Sequence, residues 1–156
     1  MSGFTSTPAS RITLIDSSLR DGEQAPGIAF SLEDKISLAH ALNDSGVDEI
    51  ELGIPSAGNS VASLVRALNG PGFTTLVFCR ARMEDLRAAS DCGADRVHIS
   101  FPLSDRLLGA LNMSYFALVK HVSQLGEYCR EHFDFFSAGL FDASRAGNAR
   151  CLDFAV

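Results

Sequence analysis

The chain carries no excess of positive charge: 13 Lys and Arg stand against 19 Asp and Glu in 156 residues, a formal net charge of -6. Binding to nucleic-acid phosphates takes a clustered positive surface, so a nucleic-acid partner is not expected. No stretch approaches the roughly 18 consecutive apolar residues of a membrane span. The opening MSGFTSTPASR lacks the apolar centre of a secretory signal, and residues 1–11 read as a flexible leader before a single domain over 12–156. The four cysteines, Cys79, Cys92, Cys129 and Cys151, form no Cys-x-x-Cys pair. Neither a structural zinc site nor a disulfide framework follows, and reduced thiols in a cytoplasmic protein are the expectation.

What the chain does contain is a repeated alternation of strand and helix. The apolar runs RITLID (11–16), VDEIELGIP (47–55), FTTLVFCR (73–80), ADRVHISFP (94–102) and FDFFSAGLF (133–141) read as strands. Between them, 31–46 starts at Ser31 with Asp34 three residues on, and ends at Gly46. In 60–70, Val61, Leu64, Val65 and Leu68 make a helical stripe. Further helices are expected from Met83 to Gly93 and from Ser114, the latter with Tyr115, Leu118, Val119, Val122 and Cys129 on one face. NARCLDFAV reads as the start of another.

Such alternation implies parallel strands with crossover helices, hence an α/β fold. An open doubly wound sheet and a (β/α)8 barrel both satisfy it. The first strand-helix turn has no Gly-x-Gly-x-x-Gly, which removes the usual support for a dinucleotide-binding sheet. Strand faces favour the barrel. Glu49 and Glu51 alternate with Ile50, Leu52 and Ile54, and His98 and Ser100 lie opposite Val97 and Ile99. Strands of an open parallel sheet are covered on both faces and read apolar throughout, whereas barrel strands direct polar groups inward near their C-terminal ends. A full barrel takes about 250 residues. The expectation is therefore the first five strand-helix units of a TIM barrel, the N-terminal part of something longer.

Polar groups gather at the strand ends. Arg20, Asp21, Glu23 and Gln24 follow the first strand, Glu51 ends the second, Arg80 ends the third, and His98 and Ser100 lie near the end of the fourth. In a barrel these converge on one mouth. Asp21 is a hard oxygen donor suited to Mg²⁺ or Mn²⁺, with softer metals if imidazoles join it. Arg20 can clamp a carboxylate or stabilise a developing oxyanion.

The opening IDSSLRDGEQAPGIAFS resembles the signature of the DRE-TIM metallolyases, most closely the branch holding homocitrate synthase of the nitrogen-fixation type and isopropylmalate synthase. DEIELGIPSAG, FCRARMEDLRAA, GADRVHISFPLSD and FSAGLFDASRA continue it in order, over about residues 11 to 147. The resemblance implies condensation of acetyl-CoA with a 2-oxo acid, 2-oxoglutarate in the homocitrate case, at a divalent metal (Mg²⁺ or Mn²⁺, with Zn²⁺ a further candidate). It implies Asp21 as a metal ligand, Arg20 as the catalytic arginine, and Gln24, Glu51, Arg80, His98 and Ser100 as residues lining the substrate pocket.

Two departures accompany it. The family completes its metal site with a His-x-His pair, and no two of His40, His98, His121 and His132 are so spaced. The family also carries glutamate before DASR, where this chain has Phe141. His40, His121 and His132 read as surface or packing residues. The resulting expectation is an acyltransferase incomplete on its own, taking small-molecule substrates. Its open strand edges would be covered by a second copy or by a complementary chain. The alternatives are a non-catalytic half-barrel and a metal-dependent aldolase or lyase of the same superfamily.

Overall fold

In the computed structural model, which describes residues 12–70 and 72–155, five parallel strands lie side by side in chain order. They are β1 (Ile15–Asp16), β2 (Glu49–Glu51), β3 (Thr75–Arg80), β4 (Arg96–Pro102) and β5 (Phe135–Phe141). Each strand pairs with its successor, without the order reversal of an open doubly wound sheet. The sheet curls into a half-barrel, as the strand faces imply. The proposed leader, residues 1–11, lies outside the described residues.

Helices α1 (Leu32–Asp44), α2 (Asn59–Leu68), α3 (Met83–Asp91) and α5 (Tyr115–His132) follow the first four strands, with a short α4 (Asp105–Ala110) placed before α5. After β5 come α6 (Ala143–Ala146) and α7 (Asn148–Ala155). The core lies between the convex face of the sheet and the helices. Ile50, Leu52, Val77, Cys79, Val97, Ile99 and Phe101 meet Leu64, Val65, Leu86, Leu118 and Leu125 there.

Local signals set most boundaries. Ser31 caps α1 reciprocally: its Oγ accepts from the Asp34 amide (3.1 Å), and Asp34 Oδ2 accepts from the Ser31 amide (3.0 Å). Ser31→Ala removes this box. Urea unfolding of that variant is expected to show a loss of about 1 kcal/mol. Gly46 and Gly93, just past α1 and α3, sit at φ +91° and +82°, the left-handed geometry that stops a helix.

Several expectations need correction. The first strand does not extend over 11–16: Ile12 and Leu14 are exposed, and only Ile15 and Asp16 pair, because the single neighbour, β2, is itself only three residues long. The second shortens from 47–55 to Glu49–Glu51, since Gly53 turns the chain at φ +141°. The face of α5 is also rotated from the expected one. Leu118, Leu125 and Cys129 are buried, while Val119 is 44% exposed.

Candidate functional site

On the concave face the alternation of each strand brings side chains from consecutive strands together. β2 contributes Glu49 and Glu51, β3 Leu76, Phe78 and Arg80, β4 Arg96, His98 and Ser100, and β5 Phe135, Ser137, Gly139 and Phe141. Two carboxylates on a strand that contacts a neighbour on each side need partners, and both have an arginine. Glu49 accepts from Arg96 Nε, and Glu51 Oε2 accepts from Arg20 Nε at 2.7 Å. Both carboxylates are buried.

Arg20 is the hub of the upper mouth. Besides Glu51 it pairs with Asp21, Nη1 to Oδ1 at 2.8 Å, and its guanidinium lies 4.7 Å from the Phe78 ring centroid. Asp21 itself is exposed on its way into a short 3-10 turn, Gly22–Gln24. That turn is tied to α1 by Lys35, a buried lysine whose Nζ donates to Glu23 Oε2 at 2.7 Å. Lys35 thus fixes the loop that carries the Arg-Asp pair. It was invisible as a functional residue in the sequence because its partner is twelve positions away in a loop.

His98 projects from the middle of β4. Its Nδ1 is 2.8 Å from Ser137 Oγ, and its ring tilts against Phe78 at 5.8 Å. Gly139 makes room for it: a Cβ there would fall 2.5 Å from His98 Nε2. Burial pushes the imidazole pKa below its usual value, and Arg20 lowers it further against the opposing pull of Glu51. His98 is therefore a neutral group at pH 7.

Arg80 is held in a tight cluster. Asp85 Oδ2 accepts from its Nε (2.8 Å) and its backbone N–H (3.0 Å), Asp85 Oδ1 accepts from Nη2 (2.9 Å), and Ser56 Oγ lies 3.3 Å from the same nitrogen. Burial alone would raise the Asp85 carboxyl, but the Arg80 hydrogen bonds outweigh it and hold the pKa below the usual carboxylate range.

The sequence-derived candidates divide between two cavities. A smaller one of about 240 Å³ holds Arg20, Glu51 and His98, with Glu49, Ser17 and Ser137. A larger one of about 490 Å³ sits over the C-terminal ends of β3–β5 and holds Arg80 and Ser100. Phe78 lines the larger and carries Arg20 of the smaller against its ring. Gln24 and Asp21 line neither, and Gln24 is exposed on its short turn. His121, read as a packing residue, lines the larger cavity and bonds the Ala81 carbonyl through Nε2 at 2.9 Å. Nothing in its helical spacing marks that position, which exists only because α4 and α5 fold over the strand ends.

The expected metal does not fit the donors present. Among the described residues no three His, Cys, Asp or Glu side chains come together as a possible site. Asp21 and Glu51, the carboxylates nearest the mouth, are both engaged by Arg20. A lone carboxylate paired with a guanidinium is a poor ligand set for a divalent cation.

Among known proteins, the chain is 32% identical over 149 residues to "Homocitrate synthase 1" of Nostoc sp., covering 94% of this chain and 40% of that protein. It is 34% identical over 138 residues to "Homocitrate synthase subunit alpha" of Clostridium pasteurianum, covering 86% of this chain and 51% of the relative. The chain thus spans about half or less of the length of these relatives. In fold it matches the crystal structure of the Bacillus subtilis HMG-CoA lyase with a TM-score of 0.75 at 16% identity, over 93% of this chain and 53% of that one. The HMGL-like family model matches residues 11–155. A half-barrel with an Arg-Asp pair at its first strand end, matched along nearly its whole length, belongs to the HMGL-like family, the DRE-TIM enzymes that its opening motif resembles.

Proposed function

We propose that this chain forms the Arg20 side of an acyltransferase site, in which the acetyl group of acetyl-CoA is joined to a 2-oxo acid. The observation that carries this reading is the Arg20–Glu51–Asp21 cluster, with His98 lining the same cavity, at the mouth of the half-barrel. Barrel chemistry gathers at that mouth. The names of the relatives make 2-oxoglutarate the first candidate acid.

In the proposed step a base removes a proton from the acetyl methyl group, and the resulting enolate carbon bonds to the keto carbon of the oxo acid. The keto oxygen gathers the negative charge as an alkoxide. Arg20 is positioned by Glu51 and oriented across Phe78, and it donates hydrogen bonds to that oxygen or to the adjacent carboxylate. Glu51 holds the guanidinium in place, and His98 presents an uncharged ring to the acid. The alkoxide takes a proton back from the protonated base, and water then adds to the thioester carbonyl to give a carboxylic acid and free CoA thiol. The base comes from outside the described residues. A divalent metal at Asp21 would likewise draw its remaining donors from elsewhere.

A complementary chain is the proposed source of those groups, with a second copy the alternative cover for the open edges. It would pair with the open edges at β1 and β5 and cover the exposed Phe135 and Phe141. The cytoplasm is the compartment proposed for this reaction. No helix among the described residues is long and apolar enough to cross a membrane.

A non-catalytic half-barrel is the second reading, favoured by Phe141, an apolar ring at 60% exposure on the mouth. Release of CoA thiol from acetyl-CoA and a panel of 2-oxo acids separates the two. The assay is run with the chain alone and with the remaining half of the Nostoc relative added. Turnover is expected in the mixture only, and Arg20→Lys is expected to reduce it by about a hundredfold or more. A mixture that assembles and yet releases no thiol would sink the acyltransferase reading.

A further inference from the structure

Ser137 has no part in the condensation proposed above, yet its hydroxyl faces a base. Ser137 and His98 are register partners on β5 and β4, so both side chains leave the same face of the sheet. Ser137 Oγ lies 2.8 Å from His98 Nδ1. Both residues are half-buried and line the smaller cavity, so neither is sealed from a ligand. Gly139 fixes the ring as well as admitting it. A Cβ at that position would fall 2.5 Å from Nε2 and 2.9 Å from Cε1, so the far edge of the imidazole rests against bare backbone.

A serine hydroxyl is a weak nucleophile until a base takes its proton. The neutral His98 ring, with its own proton on Nε2, offers the Nδ1 lone pair to the Ser137 hydroxyl. Glu51 acts on the same ring through its charge and favours the imidazolium once the proton has moved. Arg20 supplies a third part. Among the described residues its Nε bonds Glu51 and its Nη1 bonds Asp21, which leaves Nη2 for a developing oxyanion. Nucleophile, base and oxyanion donor thus line one cavity. Its volume of about 240 Å³ is below that of a site for a drug-sized ligand, so a short acyl group is the fit.

We infer that Ser137 is a nucleophile, with His98 as its base, that accepts a short acyl group from an ester or thioester and passes it to water. In the first step Ser137 Oγ bonds to the acyl carbon, its proton moves to His98 Nδ1, and the carbonyl electron pair moves onto the oxygen facing Arg20. Collapse of that oxyanion breaks the bond to the alcohol or thiol, which leaves with the proton from Nδ1. Water then adds to the acyl-serine by the same route. Its proton goes to Nδ1, and Ser137 Oγ departs with that proton, freeing a carboxylic acid. This hydrolysis is a separate activity from the condensation. It needs no 2-oxo acid and takes no proton from the acetyl methyl group, so it stands or falls independently of that reading.

The purified 156-residue chain is treated with an ethyl fluorophosphonate, whose fluoride a serine nucleophile displaces to leave a stable adduct, and peptide mass mapping locates the label. Hydrolysis is followed with p-nitrophenyl acetate and with acetyl-CoA. The label is expected on Ser137, with at least one of the two esters hydrolysed. Ser137→Ala is expected to abolish both label and hydrolysis. Ser17→Ala, which removes the other serine hydroxyl lining the cavity, is expected to leave both unchanged. His98→Gln keeps a polar side chain without the base and is expected to slow labelling by about a hundredfold or more. Gly139→Ala keeps both reacting groups but displaces the ring, and is expected to slow it by about a hundredfold. An unchanged thermal midpoint verifies that each variant is folded, and Gly139→Ala decides the role of His98 should His98→Gln unfold. No label on Ser137 overturns the inference, as does hydrolysis of neither ester, hydrolysis undiminished in folded Ser137→Ala, or labelling undiminished in folded His98→Gln.

Discussion

Replacing Arg96 by methionine is expected to destabilise the chain by about 3–5 kcal/mol, the usual cost of removing one partner of a buried ion pair. Arg96 lies on the concave face at the start of β4, where its Nε donates to Glu49 and its guanidinium stacks 4.1 Å from the Phe135 ring centroid. Glu49 is 3% exposed, so its carboxylate is left with little hydration in place of the lost partner. The loss is thus a stranded carboxylate rather than a missing contact. Arg96→Met combined with Glu49→Leu removes both charges and is expected to recover most of the stability, because an apolar pair of similar volume carries no desolvation cost. Urea unfolding of the two single variants and the double variant gives the coupling directly. A loss in the double variant equal to the sum of the two single losses would mean that the pair is not coupled in the folded chain.

The second large effect lies in the helical layer. Leu125→Ala is expected to cost about 2–5 kcal/mol, from lost burial plus the cavity left behind. Leu125 is fully buried on α5, whereas Phe116, on the same helix, is 81% exposed. Phe116→Ala is expected to change stability by no more than about 0.5 kcal/mol, although it removes the larger side chain. Thermal or urea unfolding of this pair measures which stripe of α5 faces the sheet. Similar losses for the two would place the face near Phe116 instead.

The α5 face illustrates what the sequence made legible and what it did not. That Leu118, Val122 and Cys129 share a stripe follows from helical period, but Val119 and Tyr115 fit the same period almost as well. The choice between them is made by the sheet, through the strands that the helix crosses. Local devices were readable because they need only neighbours: Ser31 with Asp34, and Gly46 at the left-handed stop. Helix α4 escaped notice because it is six residues long and contains Gly109, too short for a periodic signal.

At the site, the Arg20–Glu51 contact was within reach of the sequence, since parallel pairing of β1 with β2 brings those strand ends together. The Arg80–Asp85 cluster was not. It depends on how β3 turns into α3, and it ties Arg80, which still lines the larger cavity, to the first turn of that helix. The division of the mouth by Phe78 was equally hidden. Phe78 shares a face with Arg80 by simple alternation, yet its role as a wall arises only when α4 and α5 close the space beyond it.

The uneven ladder of the sheet has a kinetic consequence. β4 and β5 are paired without interruption from Arg96↔Phe135 to Pro102↔Phe141, whereas β1 and β2 share two register pairs, Ile15↔Glu49 and Asp16↔Ile50, extended by bonds between Leu14 and Asp48–Glu49. The backbone therefore clasps the cavity half of the mouth firmly and the arginine half loosely. What seats the arginine half is one fully buried side chain, Leu19, together with two charge pairs, Arg20 on Glu51 and Lys35 on Glu23. Such a latch opens by local fluctuations far cheaper than global unfolding. Amide hydrogen exchange is therefore expected to protect the β4–β5 ladder longer than the β1–β2 joint.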